Sequence, residues 1–167
     1  GDASAPGKLP ESDQERVVKE IQSKGYALRR VSAEDDGLLF NAVNVADEFD
    51  DEALALFEPV ASNIVELRLG KTKITDESGA LLGKMRSLVT LHLEQTIVSD
   101  ALVAELTALD GLEYLNLYGT KVSDAAIEDL LELEGLKRVY LWQTGVTKEG
   151  VARLRRMKPG CTVNLEK

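Results

Sequence analysis

The sequence predicts an α/β fold: a right-handed solenoid with one parallel sheet, helices on its convex side and a cap at its N-terminal end. Three observations lead there. Ile64, Leu88, Leu112 and Leu136 stand 24 residues apart and align four units without a gap. Each unit opens on an L-x-x-L-x-L spacing that suits a strand with one buried face, and closes on apolar residues at helical spacing. The 167 residues, 44% of them hydrophobic, are enough to bury one continuous core. A single strand–turn–helix unit cannot bury its own apolar side, so neighbouring units must stack. Parallel strands need crossovers, which the helical half of each unit supplies with right-handed connections.

The elements follow in chain order. Residues 1–10, GDASAPGKLP, are small and proline-bearing and read as a linker. Residues 11–37 read as the cap. Ser12-Asp13-Gln14-Glu15 has the form of a capping box, and a helix is expected to run from it to about Lys24, with Val17, Val18 and Ile21 inward and Gly25 as its stop. Tyr26–Val31 and Leu38–Val45 alternate like strands around the turn Glu34-Asp35-Asp36-Gly37. Residues 38–63 form a degenerate first unit. There Phe40, Val43 and Val45 match the strand positions, and Leu54, Phe57 and Val60 match the helix if one residue is deleted. The acidic run Asp47–Glu52 lacks the spaced Asp/Asn-and-Gly loop of a calcium site, so it reads as a solvated turn entering a helix.

Four full units occupy 64–87, 88–111, 112–135 and 136–159, and a partial one occupies 160–167, where Val163 and Leu165 fall in register. Their shared pattern is L-x-x-L-x-L-x-x-T-x-[VI]-[ST]-[DK], followed by an apolar helical position at Leu82, Leu106, Leu130 and Leu154. The turn threonines Thr72, Thr96, Thr120 and Thr144 are placed to bond backbone groups in a half-buried turn. Thr75, Ser99, Ser123 and Thr147 read as helix N-caps. Asp76, Asp100 and Asp124 follow at the first helical position, where the helix dipole favours an anion, and Lys148 replaces the acid in the fourth unit.

With these residues in place, the sequence resembles leucine-rich repeat proteins, with threonine at the turn position where many members carry asparagine or cysteine. The resemblance covers 38–167. The closing stretch LKRVYLWQTGVTKEGVARLRRMKPGCTVNLEK, preceded by LYGTKVSD, resembles more particularly the C-terminal repeats of large cell-envelope proteins of planctomycete-type and verrucomicrobial bacteria. Those often carry a c-type cytochrome domain upstream. This sequence has no C-x-x-C-H haem signature, so only the repeat portion is matched. The resemblance implies an extracytoplasmic setting, periplasmic or in the cell envelope. Nothing in the residues themselves opposes a cytoplasmic one.

Strand alternation sorts the outward residues into columns across the sheet. The third position reads Ala42, Glu66, Thr90, Tyr114, Arg138, Thr162; the fifth reads Asn44, Arg68, His92, Asn116, Tyr140, Asn164; the seventh reads Ala46, Gly70, Glu94, Tyr118, Trp142, Glu166. Four of the chain's eight aromatic residues, Tyr114, Tyr118, Tyr140 and Trp142, fall on this face in two adjacent units. The repeat does not ask for aromatics there, since the leucines build the core. Tyrosine and tryptophan beside an arginine are the composition of an interface centre, although cross-strand packing of β-formers produces the same columns. The candidate binding residues are therefore these four rings, rimmed by Arg138, His92, Arg68 and Glu94.

Composition narrows the function. One cysteine, Cys161, and one histidine, His92, rule out an internal disulfide and any multi-Cys or multi-His metal site. Three strand spacings separate the two, roughly 14 Å, too far for a Cys–His dyad. No nucleophile, base and orienting group can be assembled, so the sequence reads as no enzyme, without cofactor or metal. The net charge of −9 argues against nucleic-acid binding. No apolar run approaches the ~18 residues of a membrane span. Charge is uneven, with seven basic and one acidic side chain in 136–159, a local +6. Solubility accounts for such a distribution, and a basic docking end is the sharper reading. The expected function is a non-catalytic module recognising a protein or peptide through the aromatic face. A glycan-binding module and an architectural spacer of a larger envelope protein are the alternatives.

Overall fold

Residues 9–166 are described by a computed structural model of the chain. The linker expected over 1–10 lies outside them except for Leu9 and Pro10. Helix α1 (Glu11–Ser23) leads into strands β1 (Arg29–Arg30) and β2 (Leu38–Asn41). Helix α2 (Asp51–Ala55) and a 3-10 segment (Glu58–Asn63) complete the first unit. Strand and helix then alternate: β3 (Ile64–Arg68), α3 (Gly79–Gly83), β4 (Thr90–His92), α4 (Asp100–Glu105), β5 (Tyr114–Asn116), α5 (Ile127–Glu132), β6 (Arg138–Tyr140), α6 (Lys148–Met157) and β7 (Thr162–Asn164). The seven strands form one sheet in sequence order, parallel except for β1 against β2. Leu67, Leu91, Leu115, Val139 and Val163 pair across adjacent strands as the 24-residue register demands.

Local chemistry repeats with the unit. Each turn threonine donates its hydroxyl to the carbonyl three residues back: Thr72 to Leu69, Thr96 to Leu93, Thr120 to Leu117 and Thr144 to Leu141, all at 2.6–2.7 Å. That gives each of these carbonyls beside the core a side-chain donor, and those of Leu69 and Leu117 also accept from the backbone N–H of the same threonine. The four expected N-caps all accept from a backbone N–H in the first helical turn. The aspartates after them do more than face a dipole. Asp76 accepts from the N–H and hydroxyl of Ser99 at 2.7 and 2.6 Å, Asp100 does the same for Ser123, and Asp124 for Thr147. Asp51 accepts from Thr75 and from the Ser78 hydroxyl. Each carboxylate thus grips the cap of the next unit, and the ladder ends where Lys148 takes the acid's place.

The first unit departs from the expected register. Leu39 pairs with Glu66, Phe40 with Leu67 and Asn41 with Arg68, so Ala42, Asn44 and Ala46 do not stand in the outward columns. Ala42 is fully buried and donates to the Arg68 carbonyl, as Leu69 does to that of His92. The cause is local. The Asn41 side chain accepts from the Val43 N–H and starts a turn, which leaves Val43 68% exposed. Six residues, 43–48, then bridge to Phe49, where four, 70–73, lead to Ile74. The acidic run includes structural groups: Asp50 caps α2 through the Ala53 N–H, and Asp51 starts the ladder.

The capping box is also corrected. Ser12 lies inside α1 and caps nothing; the helix begins at Pro10, whose carbonyl accepts from the Gln14 N–H at 2.9 Å. Proline with fixed φ closes that first turn two residues before Ser12. Val17 and Ile21 are buried as expected, and so is Gln14, whose amide donates to the Asp36 carbonyl at 2.7 Å. Gly25, at φ 96°, ends the helix in a conformation that side chains resist. The core at this end is aromatic: Phe40 lies 5.1 Å from Phe49 and 5.0 Å from Phe57, with Tyr26 edge-on to Phe49. Beyond it the core is almost wholly aliphatic.

Candidate binding face

The outward positions of β3 to β7 meet in strict register. Glu66, Thr90, Tyr114, Arg138 and Thr162 form one row, and Arg68, His92, Asn116, Tyr140 and Asn164 the next. Gly70, Glu94, Tyr118 and Trp142 follow where each chain leaves its strand. There Lys71, Gln95, Gly119 and Gln143 all adopt positive φ, a left-handed step that turns each strand end. The Asn116 carboxamide accepts from the Tyr118 N–H at 3.0 Å and steadies that turn in β5.

The rings form two contacts sets. Tyr118 and Trp142 stack with centroids 4.7 Å apart and planes 11° from parallel. Tyr114 lies 5.5 Å from Tyr140 on one side and 4.7 Å from the His92 imidazole on the other. His92 is thus one of a run of three rings, which its column position alone does not show, because its contact with Tyr114 is diagonal across β4 and β5. All five side chains are half-buried, and none enters the core. Packing against one another removes part of each ring from water and leaves the rest exposed.

Charge is arranged around the rings. Glu94 leans over Gly70, where a side chain would meet its Oε1 at 2.6 Å. Its Oε2 is buried without a hydrogen bond among the described residues, 3.7 Å from His92 Nδ1. Burial pushes the Glu94 carboxyl up, but His92, its own backbone N–H and Arg68 outweigh that and hold it below the ordinary value. Arg68 pairs with Glu66 at 3.3 Å. Burial raises the Tyr114 hydroxyl, with Tyr140 and Glu94 adding to the shift. Arg138 is exposed in the Tyr114 row. Cys161 is buried beside β7, and that burial raises its thiol. It stands three strands from His92. No group of three or more metal-ligating side chains gathers among the described residues, and no described helix is long and apolar enough to cross a membrane.

No protein-family model and no curated protein sequence matches the chain. Solved structures do resemble it. A leucine-rich repeat protein of Leptospira interrogans superposes with a TM-score of 0.54 at 17% identity, over 71% of this chain and 34% of its own. The leucine-rich repeat ectodomain of a receptor kinase from Arabidopsis thaliana gives 0.51 at 13% identity, over 95% and 94%. The tropomodulin C-terminal domain from Caenorhabditis elegans gives 0.55 at 17% identity, over 89% and 92%. These likenesses show a leucine-rich repeat fold. The chain spans about a third of the length of the Leptospira protein.

Proposed function

We propose that this chain is a recognition module that binds a protein or peptide through the outward face of β4 to β6. The observation that carries the reading is the pair of ring clusters, Tyr118 on Trp142 and His92–Tyr114–Tyr140. Neither is needed by a core that the aliphatic ladder fills. Rigid rings with few rotamers lose little entropy on contact, and aromatic residues with arginine at their edge dominate interface energetics. Arg138 borders the patch, and Arg68 and Glu94 border the His92 side. The extracytoplasmic setting that the sequence resemblance of the closing units implies is part of this proposal.

Replacing Trp142 or Tyr118 with alanine tests this. Photo-crosslinking from Tyr140, followed by mass spectrometry, identifies the partner, and titration calorimetry compares parent and variants. Each variant is expected to lose about 2 kcal/mol or more of binding while unfolding at nearly the parent's denaturant midpoint. Variants that bind as the parent does would remove the aromatic face from the interface. Saturation of Trp142 fluorescence by oligosaccharides, with no protein crosslinked, would favour a glycan ligand instead.

A further inference from the structure

Glu94 adjoins both ring clusters. His92 and Asn116 pair across β4 and β5. Two residues on, the Gln95 N–H donates to the Tyr118 carbonyl at 2.7 Å, which keeps the two strand ends side by side and sets Glu94 next to Tyr118. His92, Asn116, Tyr118 and Glu94 are thus the corners of one box: two rings, an amide and an acid. The acid is unfinished. Its Oε2 is buried without a hydrogen bond among the described residues, and His92 Nδ1, at 3.7 Å, is too far to supply one. A buried carboxylate oxygen without a donor costs free energy. The carboxyl is nonetheless ionised near neutral pH, since burial pushes it up but its neighbours hold it below the ordinary value. Gly70 makes room for it. A Cβ there would stand 2.6 Å from Oε1 and 2.7 Å from Cδ, so the bare backbone of β3's end is what lets the carboxylate lie where it does.

Charge and shape select the occupant. The chain's own cations near the box are engaged or distant. Arg68 pairs with Glu66 at 3.3 Å, and Lys71 lines a separate hollow with Asp47 and Glu48. Arg138 lies two strands and four residues from Glu94, roughly 16 Å by strand geometry, where exposed charges are largely screened. On the far side of Trp142, Glu166 follows Asn164 as Trp142 follows Tyr140, which adds a second acid rather than a counter-ion. A cation from outside is therefore the missing partner, and rings beside a carboxylate suit one that has a flat face. A lysine ammonium is a compact point charge, whereas a guanidinium stacks on aromatic rings and its fork meets both oxygens of a carboxylate. We propose that the box between β4 and β5 receives an arginine side chain of the partner, its guanidinium against Tyr118 and His92 and its fork on the Glu94 carboxylate. Asn116, its oxygen taken by the Tyr118 N–H at 3.0 Å, forms the fourth corner. This rests on the reading of the outward face as a recognition surface, and it narrows the partner to an arginine-bearing segment.

The probe is Nα-acetyl-arginine amide, titrated into the isotope-labelled chain near neutral pH and followed by amide NMR. Saturable shifts are expected at residues 92–95 and 116–118. The citrulline counterpart, which keeps the shape and loses the charge, should bind at least about tenfold more weakly, and the lysine counterpart more weakly than arginine. E94Q should lose about tenfold as well. It should unfold in urea at the parent's midpoint or above, since it removes a buried charge that nothing pairs. G70A adds a methyl group that displaces the carboxylate, and should weaken binding without altering any group of the box. Citrulline or lysine binding as tightly as arginine, undiminished binding in E94Q or G70A, an E94Q midpoint well below the parent's, or shifts confined to other residues would each overturn the proposal. Once the partner is crosslinked, the two readings separate. A partner lost by W142A but held by E94Q keeps the face as a recognition surface and overturns the arginine assignment. A partner held by W142A and Y118A but lost by E94Q keeps the arginine box and removes the stacked pair.

Discussion

Asp124 shows how much one side chain can connect. Its carboxylate takes the Thr147 hydroxyl at 2.6 Å and the Thr147 N–H at 2.8 Å, joining the third full unit to the fourth. Those two bonds, the hydroxyl foremost and the N–H second, hold its carboxyl below the ordinary value of 3.8 against a slight opposing push from burial. A depressed folded pKa means the unfolded chain binds the proton more readily. The stabilisation is therefore present above the unfolded value and is lost as pH falls through the folded one. Urea midpoints measured from about pH 5 to about pH 2 should fall, and the Asp124→Asn variant should show a shallower fall. Equal slopes would mean that Asp124 grips nothing in solution. The sequence showed the column of aspartates but not their task, because their partners lie a whole unit away. The hydroxyl present beside every acid was the available signal. The rings were easier to foresee, since strand alternation alone places Tyr114, Tyr118, Tyr140 and Trp142 outward. The diagonal contact of His92 with Tyr114 depends on ring orientation, which no column records.

Each helix is short, between five and ten residues from α2 to α6, too short to be stable by itself. It persists because one face is sunk into the stack. Leu106 and Leu130, at equivalent positions in consecutive units, are fully buried. Leu106→Ala or Leu130→Ala should cost about 2–5 kcal/mol through lost transfer energy and the cavity left behind. Since each unit touches only its neighbours, the loss should lower one shared transition rather than melt a single unit. Denaturant titration followed by both circular dichroism and Trp142 fluorescence checks this: coincident, shifted curves are expected. A change under about 1 kcal/mol would deny the leucines their core role. Ungapped repetition made these positions legible from Ile64 onward. The first unit was not legible in the same way. Asn41 ends β2 early, and the longer loop to Phe49 shifts its strand relative to its helix, so counting by 24 misplaces Asn44 and Ala46.

At the scale of the molecule, a solenoid has two ends, and each leaves a layer of core in need of cover. The N-terminal layer is the more demanding. It holds Phe40, Phe49 and Phe57, the largest fully buried side chains of the chain. Val17, Ile21 and Leu28 join the same buried cluster, Tyr26 packs edge-on to Phe40 and Phe49, and β1 pairs along β2. Gln14 and Gln22 fasten the helix by donating to the carbonyls of Asp36 and Leu28, both at 2.7 Å. Residues 11–37 read from sequence as a cap because a helix and one strand precede the first unit without sharing its pattern. A chain starting at Leu38 therefore loses more than a contact surface. It exposes the phenylalanine layer and the β2 edge together, and each of the three buried aliphatics is worth roughly 1.5–3 kcal/mol. That sum rivals the whole stability of a domain this size. The shortened chain should bind a hydrophobic dye, lose its sharp thermal transition and associate through the bared edge. Supplying residues 11–37 as a separate peptide should partly restore the transition. A shortened chain that stays monomeric and melts as the parent does would show that the repeats close their own end, with α1 and β1 an appendage.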